Sequence, residues 1–249
     1  MVKIAFSLPA LKTMRMTYKN QYFIYLQTFI ICTSAVILLK YFPIGGKIDL
    51  ALIQPWLNPD GKFFAKEMWP LSQLSHHYVK YLLIFIYLYI GLTAIKVLPK
   101  PWKNLQHWQY AYFFIMVCLS TLLIAQIKKI TNHACPWDLV EATPQGYLWH
   151  FKDRVGHCFP GGHASSGFAL MVGYFLFKDK SKSSALFFLV SALILGFAMG
   201  WAQMMRGAHF LSHNLWTAWW IWTLNVVSYV LIYPYFAKKF DDDQTNSLL

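Results

Sequence analysis

Six apolar stretches, most of them near twenty residues long, limit what this chain can fold into. They cover about residues 22–42, 78–97, 110–127, 164–177, 185–204 and 215–236. A helix rises about 1.5 Å per residue, so about 20 apolar residues match the hydrocarbon thickness of a bilayer. Inside lipid every backbone N–H and C=O must be paired within the protein, and a helix does this within one segment. The fourth stretch is short and contains Ser165, Ser166 and two glycines. It suffices if His163 lies at the membrane edge. The pattern predicts an all-α, polytopic fold with six transmembrane helices in a single domain over residues 1–249. Helices and an outer loop at 20–127 lead into a chemically dense region at 128–216. Composition agrees, because only 13% of residues are charged, against about a quarter in a soluble domain.

The net charge of +12 comes from 22 basic and 10 acidic residues. In a soluble chain this would suggest nucleic acid. Here the basic residues sit between apolar runs, so no nucleic-acid partner is expected, and anionic lipid is the better match. Most of the charge reads as topological. Lys3, Lys12, Arg15 and Lys19 precede the first stretch. Lys96, Lys100 and Lys103, then Lys178, Lys180 and Lys182, and finally Lys238 and Lys239, fall on the same predicted face. Opposing them are only Asp179 and the tail Asp241 to Asp243. Both termini are therefore expected in the cytoplasm. The first apolar run is too long for a signal peptide and lacks a small-residue cleavage site, so it reads as a retained anchor.

The outer loops then span about residues 43–77 and 128–162, with a short turn at 206–213. Amphipathic pieces at 50–57 and 63–69 are expected on the membrane surface. Cys32 and Cys118 fall within apolar spans and read as packing residues. Cys135 and Cys158 share an outer loop, where a disulfide is permitted. Such a bridge is worth about 3 kcal/mol in the chain-entropy model; two free thiols is the alternative.

Three segments on the predicted outer face concentrate the chemistry. They are KKITNHACPWD from Lys128, FPGGHASSG from Phe159, and AQMMRGAHFLSHNLW from Ala202. Together they bring His163, His209 and His213 towards Lys128 and Arg206, with Lys152 and Arg154 in the intervening loop. Ionisable groups at a membrane edge are costly unless paired or functional. Lysine and arginine supply charge and donors for a phosphate. Gly161 and Gly162 let backbone N–H groups approach an anion, at the start of a helix whose N-terminus favours it. One histidine can attack phosphorus while another protonates the leaving oxygen. Zinc is the competing chemistry, since His209 and His213 share a helical spacing. No HExxH is present and the neighbouring cations would repel a divalent ion, so neither metal nor cofactor is expected. The bland alternative, hydrogen-bonded structural histidines, is strongest for His133 and His157.

In order and spacing, the three segments resemble the signature of the type 2 phosphatidic acid phosphatase superfamily, KxxxxxxRP, PSGH and SRxxxxxHxxxD. The resemblance implies a membrane phosphatase in which His209 forms a phospho-histidine. His163 would protonate the departing oxygen and then help activate water. Lys128 and the Gly161–Gly162 backbone would neutralise the phosphoryl oxygens. Some positions depart from the pattern. Cys135 stands for an arginine, Gly161 for a serine, Ala202 and Gln203 for serine and arginine, and His213 for the aspartate that orients the nucleophile. Arg206, and Arg154 or Lys152, are the candidates to replace the phosphate-binding arginines, and Asp138 and Asp153 the candidates for the carboxylate. A neutral His213 is the other candidate to hold the His209 ring.

The resemblance also implies a bacterial inner-membrane protein whose site faces the periplasm. The partner is then a membrane lipid: a polyprenyl pyrophosphate such as undecaprenyl pyrophosphate, phosphatidylglycerophosphate, or a lipid A phosphate. A phosphotransferase of the same fold and a non-catalytic lipid-binding membrane protein are the alternatives.

Overall fold

The structure, a computed structural model, describes residues 18–235 and Lys238, with side chains described from Gln21 on and outside 74–77. Lys3, Lys12, Arg15, the Lys19 side chain, Phe236, Lys239 and Asp241 to Asp243, on which the topology reading leans, lie outside the described residues. Helices occur at all six apolar stretches. They are α1 (Tyr18–Tyr41), α3 (Val79–Ala94), α4 (His107–Ile130), the pair α6 (Gly162–Phe168) and α7 (Met171–Phe177), α8 (Lys182–Met205) and α9 (Leu211–Leu231).

Among the described residues, four helical stretches are long and apolar enough to cross a membrane: Gln21–Tyr41, His107–Ile130, Lys182–Met205 and Leu211–Tyr235. The other two are shorter, for physical reasons legible in their surroundings. Helix α3 is continued towards its N-terminus by a π-helical segment, Pro70–Tyr78, with Trp69 helical before it, so only the later part of the run is α-helix. The fourth stretch breaks at Ala169 and Leu170, where the chain makes a turn between α6 and α7.

Close approach of α6 and α8 rests on small residues. A Cβ on Gly167 would collide with the backbone nitrogen of Gly196 and stand 2.7 Å from the Leu195 carbonyl carbon. Small residues at such a crossing let helix backbones meet, as is common in membrane bundles. Around this crossing Phe113, Met116, Phe168, Val172 and Phe188 form the main apolar core with Tyr87 and Ile90 of α3. By contrast α1 leans mainly on α9. Trp219 Nε1 donates to the Ile31 carbonyl at 3.1 Å, and Trp222 Nε1 donates to Gln27 Oε1 at 3.0 Å. The remaining faces of α1, including Tyr25, Phe29, Val36 and Leu39, are exposed, as a lipid-facing helix requires.

A second, smaller core lies under the outer loops. Helix α2 (Lys47–Ile53) and the following 3-10 turn Gln54–Trp56 turn Ile53 and Leu57 inward, where they meet Phe63, Ala134, Leu139, Met204 and Phe210. The 50–57 segment expected on the membrane surface thus buries its apolar face against protein, because loop residues of three segments offer it an apolar bed. Phe64, Met68 and Trp69 stay exposed. The second outer loop also holds elements that the helical pattern did not anticipate. After the single turn α5 (Pro136–Leu139), strands β1 (Val140–Thr143) and β2 (Gly146–Trp149) pair antiparallel, Val140 opposite Trp149 and Thr143 opposite Gly146. A two-residue turn closes the hairpin, with Gly146 at φ +124°.

The α6–α8 crossing is testable. Gly167→Ala should destabilise the protein by about 1–3 kcal/mol, since two rigid backbones cannot yield to a methyl group. Thermal unfolding in detergent should show a lower midpoint than wild type.

Candidate active site

The site forms where the main core meets the outer one, and each of the three chemical segments is pinned there by backbone bonds. Helix α4 ends at Ile130, and Lys128 lies in its last turn. Beyond it the 131–135 and 157–159 stretches run side by side. Thr131 Oγ1 donates to the Phe159 carbonyl at 2.5 Å, the Cys158 N–H donates to the His133 carbonyl at 2.8 Å, and a His157 ring nitrogen lies 2.9 Å from the Thr131 carbonyl. A Cys135–Cys158 disulfide closes the same pair of stretches.

Gly161 is held against α9 from both sides. Its N–H donates to the His213 carbonyl at 3.2 Å, and its carbonyl accepts the Thr217 hydroxyl at 3.1 Å. A side chain here would collide with Asn214 Oδ1. That accounts for glycine where the resembling family has serine. Helix α6 starts one residue later, and Lys128 Nζ stands 3.8 Å from the place a Gly162 Cβ would occupy. The lysine and the glycine step are therefore together.

Helix α8 ends in a tight turn through Gly207, at φ +75°, a conformation glycine adopts without strain. The Ala208 and His209 N–H groups both donate back to the Gln203 carbonyl, at 2.9 and 3.4 Å. This places His209, only 2% exposed, beside His213, which is fully buried. Their Nδ1 atoms are 3.4 Å apart, so one ring carries the proton and the other accepts it. The His163 and His209 ring centroids are 6.4 Å apart. The edges of Phe159 and Phe210 close over His213.

Burial pushes the His209 imidazole well below its ordinary pKa, and the charges of His213, Lys128 and His163 push it the same way. At neutral pH the ring is uncharged and its lone pair is available. Burial also lowers His133.

The other candidates lie further out. The Arg206 Nε donates to the Lys66 carbonyl at 2.9 Å and an Nη1 N–H to Gln203 Oε1 at 3.3 Å, which commits the guanidinium to the first outer loop. Arg154 and Lys152 are exposed on the second loop. Asp138 is exposed and accepts Trp137 Nε1 at 2.9 Å, and Asp153 stands 3.7 Å from His150 Nδ1. Among the described residues no carboxylate hydrogen-bonds His209 or His213, and no group of three or more potential ligands could hold a metal ion. Sequence reasoning missed Asp49, Asn214 and Thr217. Asn214 and Thr217 are two polar residues within the apolar run of α9, and their role is visible only through Gly161. Asp49 carried no signal, being 163 residues from its partner Ser212.

The family model of the PAP2 superfamily matches residues 109–237. The chain belongs to the PAP2 superfamily. No curated protein and no solved structure gave a match. All three pinned segments fall within the PAP2 match, whereas α1 to α3 and the first outer loop precede it. PAP2 membership supports phosphatase chemistry on phosphate esters, and the apolar helices fit a multi-pass membrane protein.

A buried neutral histidine makes stability depend on pH with a definite sign. Protons bind the unfolded His209 near its ordinary value of 6.5 but not the folded ring. Stability is therefore full above about pH 6.5 and falls as pH drops below it. Thermal melts from pH 7.5 to 5 should show this decline, and His209→Gln should lessen it while His133, also lowered by burial, keeps part of it.

Proposed function

We propose that this PAP2 protein hydrolyses a lipid phosphate or pyrophosphate at the extracytoplasmic face, through a phospho-histidine on His209. The observation that carries the reading is a cleft of about 460 Å³ between α3, α4 and α6. One end holds Lys128 and Gly162, and its length is lined by apolar side chains such as Leu83, Ile84, Phe114, Val117 and Ile124. A cation and a glycine step at the head of an apolar trough fit a phosphate on a hydrocarbon chain.

In this reading the six helical stretches cross the membrane with both termini inside. The disulfide fits an oxidising compartment such as the periplasm. The His213 Nδ1 takes the His209 Nδ1 proton in a hydrogen bond, which leaves His209 Nε2 to attack phosphorus. As the N–P bond forms, the bond to the leaving oxygen breaks and His163 delivers a proton to that oxygen. Lys128 offsets the charge on the phosphoryl oxygens, with the Gly161–Gly162 backbone beside it. In the second half, His163 takes a proton from water, the water oxygen attacks phosphorus, and the N–P bond breaks to release phosphate. Arg206 and Arg154 would serve the phosphate only by swinging in from the rim. His213 takes the orienting place for which Asp138 and Asp153 were the carboxylate candidates.

The second reading, transfer to an acceptor lipid, is favoured by a separate apolar cleft of about 480 Å³ on the other side of α4. It is lined by Leu38, Phe42, Ile127, Thr131, Phe159 and Trp220 and so reaches the same loop. Phosphate release from a panel of polyprenyl pyrophosphate, phosphatidylglycerophosphate and lipid A tests both readings. Wild type should release phosphate from at least one without an added acceptor, and His209→Ala should be slower by about a thousandfold or more. His163→Ala should be slower by about a hundredfold or more. Equal rates for wild type and His209→Ala would refute the enzyme, and release only when an acceptor lipid is present would favour transfer.

A further inference from the structure

The first outer loop precedes the PAP2 match, yet one of its side chains reaches the start of α9. Asp49, in α2, is the only buried carboxylate among the described residues, at 1% exposure. Its Oδ1 accepts the Ser212 N–H at 2.9 Å. Its Oδ2 accepts the Ser212 hydroxyl at 2.5 Å and the Gly45 N–H at 2.9 Å. Burial pushes the carboxyl pKa up, and the Ser212 and Gly45 donors pull against it.

Ser212 is the second residue of α9, three residues after His209 and next to His213. The N-cap of this helix is Phe210, which offers no side-chain acceptor. A helix start leaves unpaired N–H groups that favour a carboxylate, and a charge-assisted bond is the strong way to satisfy them. The acceptor is thus brought from a distant loop to the residue lying between the two histidines in sequence. The loop itself is braced. The Phe151 ring fills the space where a Gly45 side chain would stand and lies 6.2 Å from the Phe210 ring, while the Lys66 carbonyl takes Arg206.

Any shift of Ser212 along or around the α9 axis would carry two contacts with it. These are the 3.4 Å approach of His209 to His213 and the bond from the Gly161 N–H to the His213 carbonyl. We infer that Asp49 is a positioning residue for phosphoryl transfer, clamping Ser212 so that the His209–His213 pair and the Gly161 turn keep their alignment. Asp49 touches neither the substrate nor the attacking nitrogen. The inference rests on the proposed role of His209.

The test uses the full chain in detergent, with the lipid phosphate that wild type turns over fastest and with His209→Ala as control. Asp49→Ala should lower kcat about 10- to 100-fold with KM changed less than about threefold, as expected when a reacting group is misplaced by about an ångström. Ser212→Ala, which removes only the hydroxyl bond, should lower kcat by a smaller factor. Asp49→Asn keeps an acceptor for the Ser212 N–H but turns an amide NH2 towards the Gly45 N–H, so it should recover only part of the loss. Activities are expressed per folded protein from size-exclusion and circular-dichroism measurements. If Asp49→Ala does not fold, the other two variants decide. Wild-type kcat in the folded variants, or a change in KM alone, overturns the inference while leaving the His209 reading intact. Loss of the distinction between wild type and His209→Ala overturns that reading and this inference together.

Discussion

Two imidazoles 3.4 Å apart, withdrawn from water and near a lysine, bind a proton poorly, and the rest of the site is arranged around that constraint. Burial costs the charged form its hydration, and each neighbouring cation adds to the penalty. The pair must therefore stay neutral at rest, which is the state a nucleophilic nitrogen requires. Keeping it neutral demands a dry setting, and the Phe159 and Phe210 rings, each in a T-shaped contact with His213, help to make it. Neutrality and enclosure are a single condition.

In the proposed mechanism, histidine in place of a carboxylate at position 213 changes what happens once phosphate is attached. A carboxylate would stabilise the charged ring of a phospho-histidine; a neutral imidazole can only accept its hydrogen bond. In the proposed mechanism this leaves more of the electrostatic work to the phosphate's own negative charge and to Lys128. It also explains why, among the described residues, no arginine is bonded into the histidine pair. A guanidinium beside it would depress the proposed nucleophile further, and Arg206 is instead tied to the Lys66 carbonyl.

Much of this was readable from residue order. Apolar stretches announced helices at all six places, and the three segments that carry Lys128, His163 and His209 proved to be neighbours. Their legibility has a physical basis: apolar length and ordered motifs are local properties. The turn at Ala169 and Leu170, the 140–149 hairpin, and the inward packing of Ile53 and Leu57 were not readable. Each depends on what lies opposite in space. Gly161 shows the difference well. As a departure from the family's serine it has no explanation along the chain, but Asn214 occupies the volume a side chain would need.

By itself the sequence indicated that this chain suits a lipid setting, that its candidate site residues cluster at one edge of the apolar helices, and which histidines to group together. The first two follow from hydropathy and the placement of the loops, which are local properties; the third is what the resemblance of the ordered motifs to the family signature implies. Only the tertiary structure decided which groups reach the histidines. Arg206, Arg154, Asp138 and Asp153 were plausible by distance along the chain but are held elsewhere by Lys66, solvent, Trp137 and His150. Asp49, remote in sequence, stands at the start of α9. A hydrogen bond is decided by a few ångströms of direction and distance, and those are set by packing of the whole molecule.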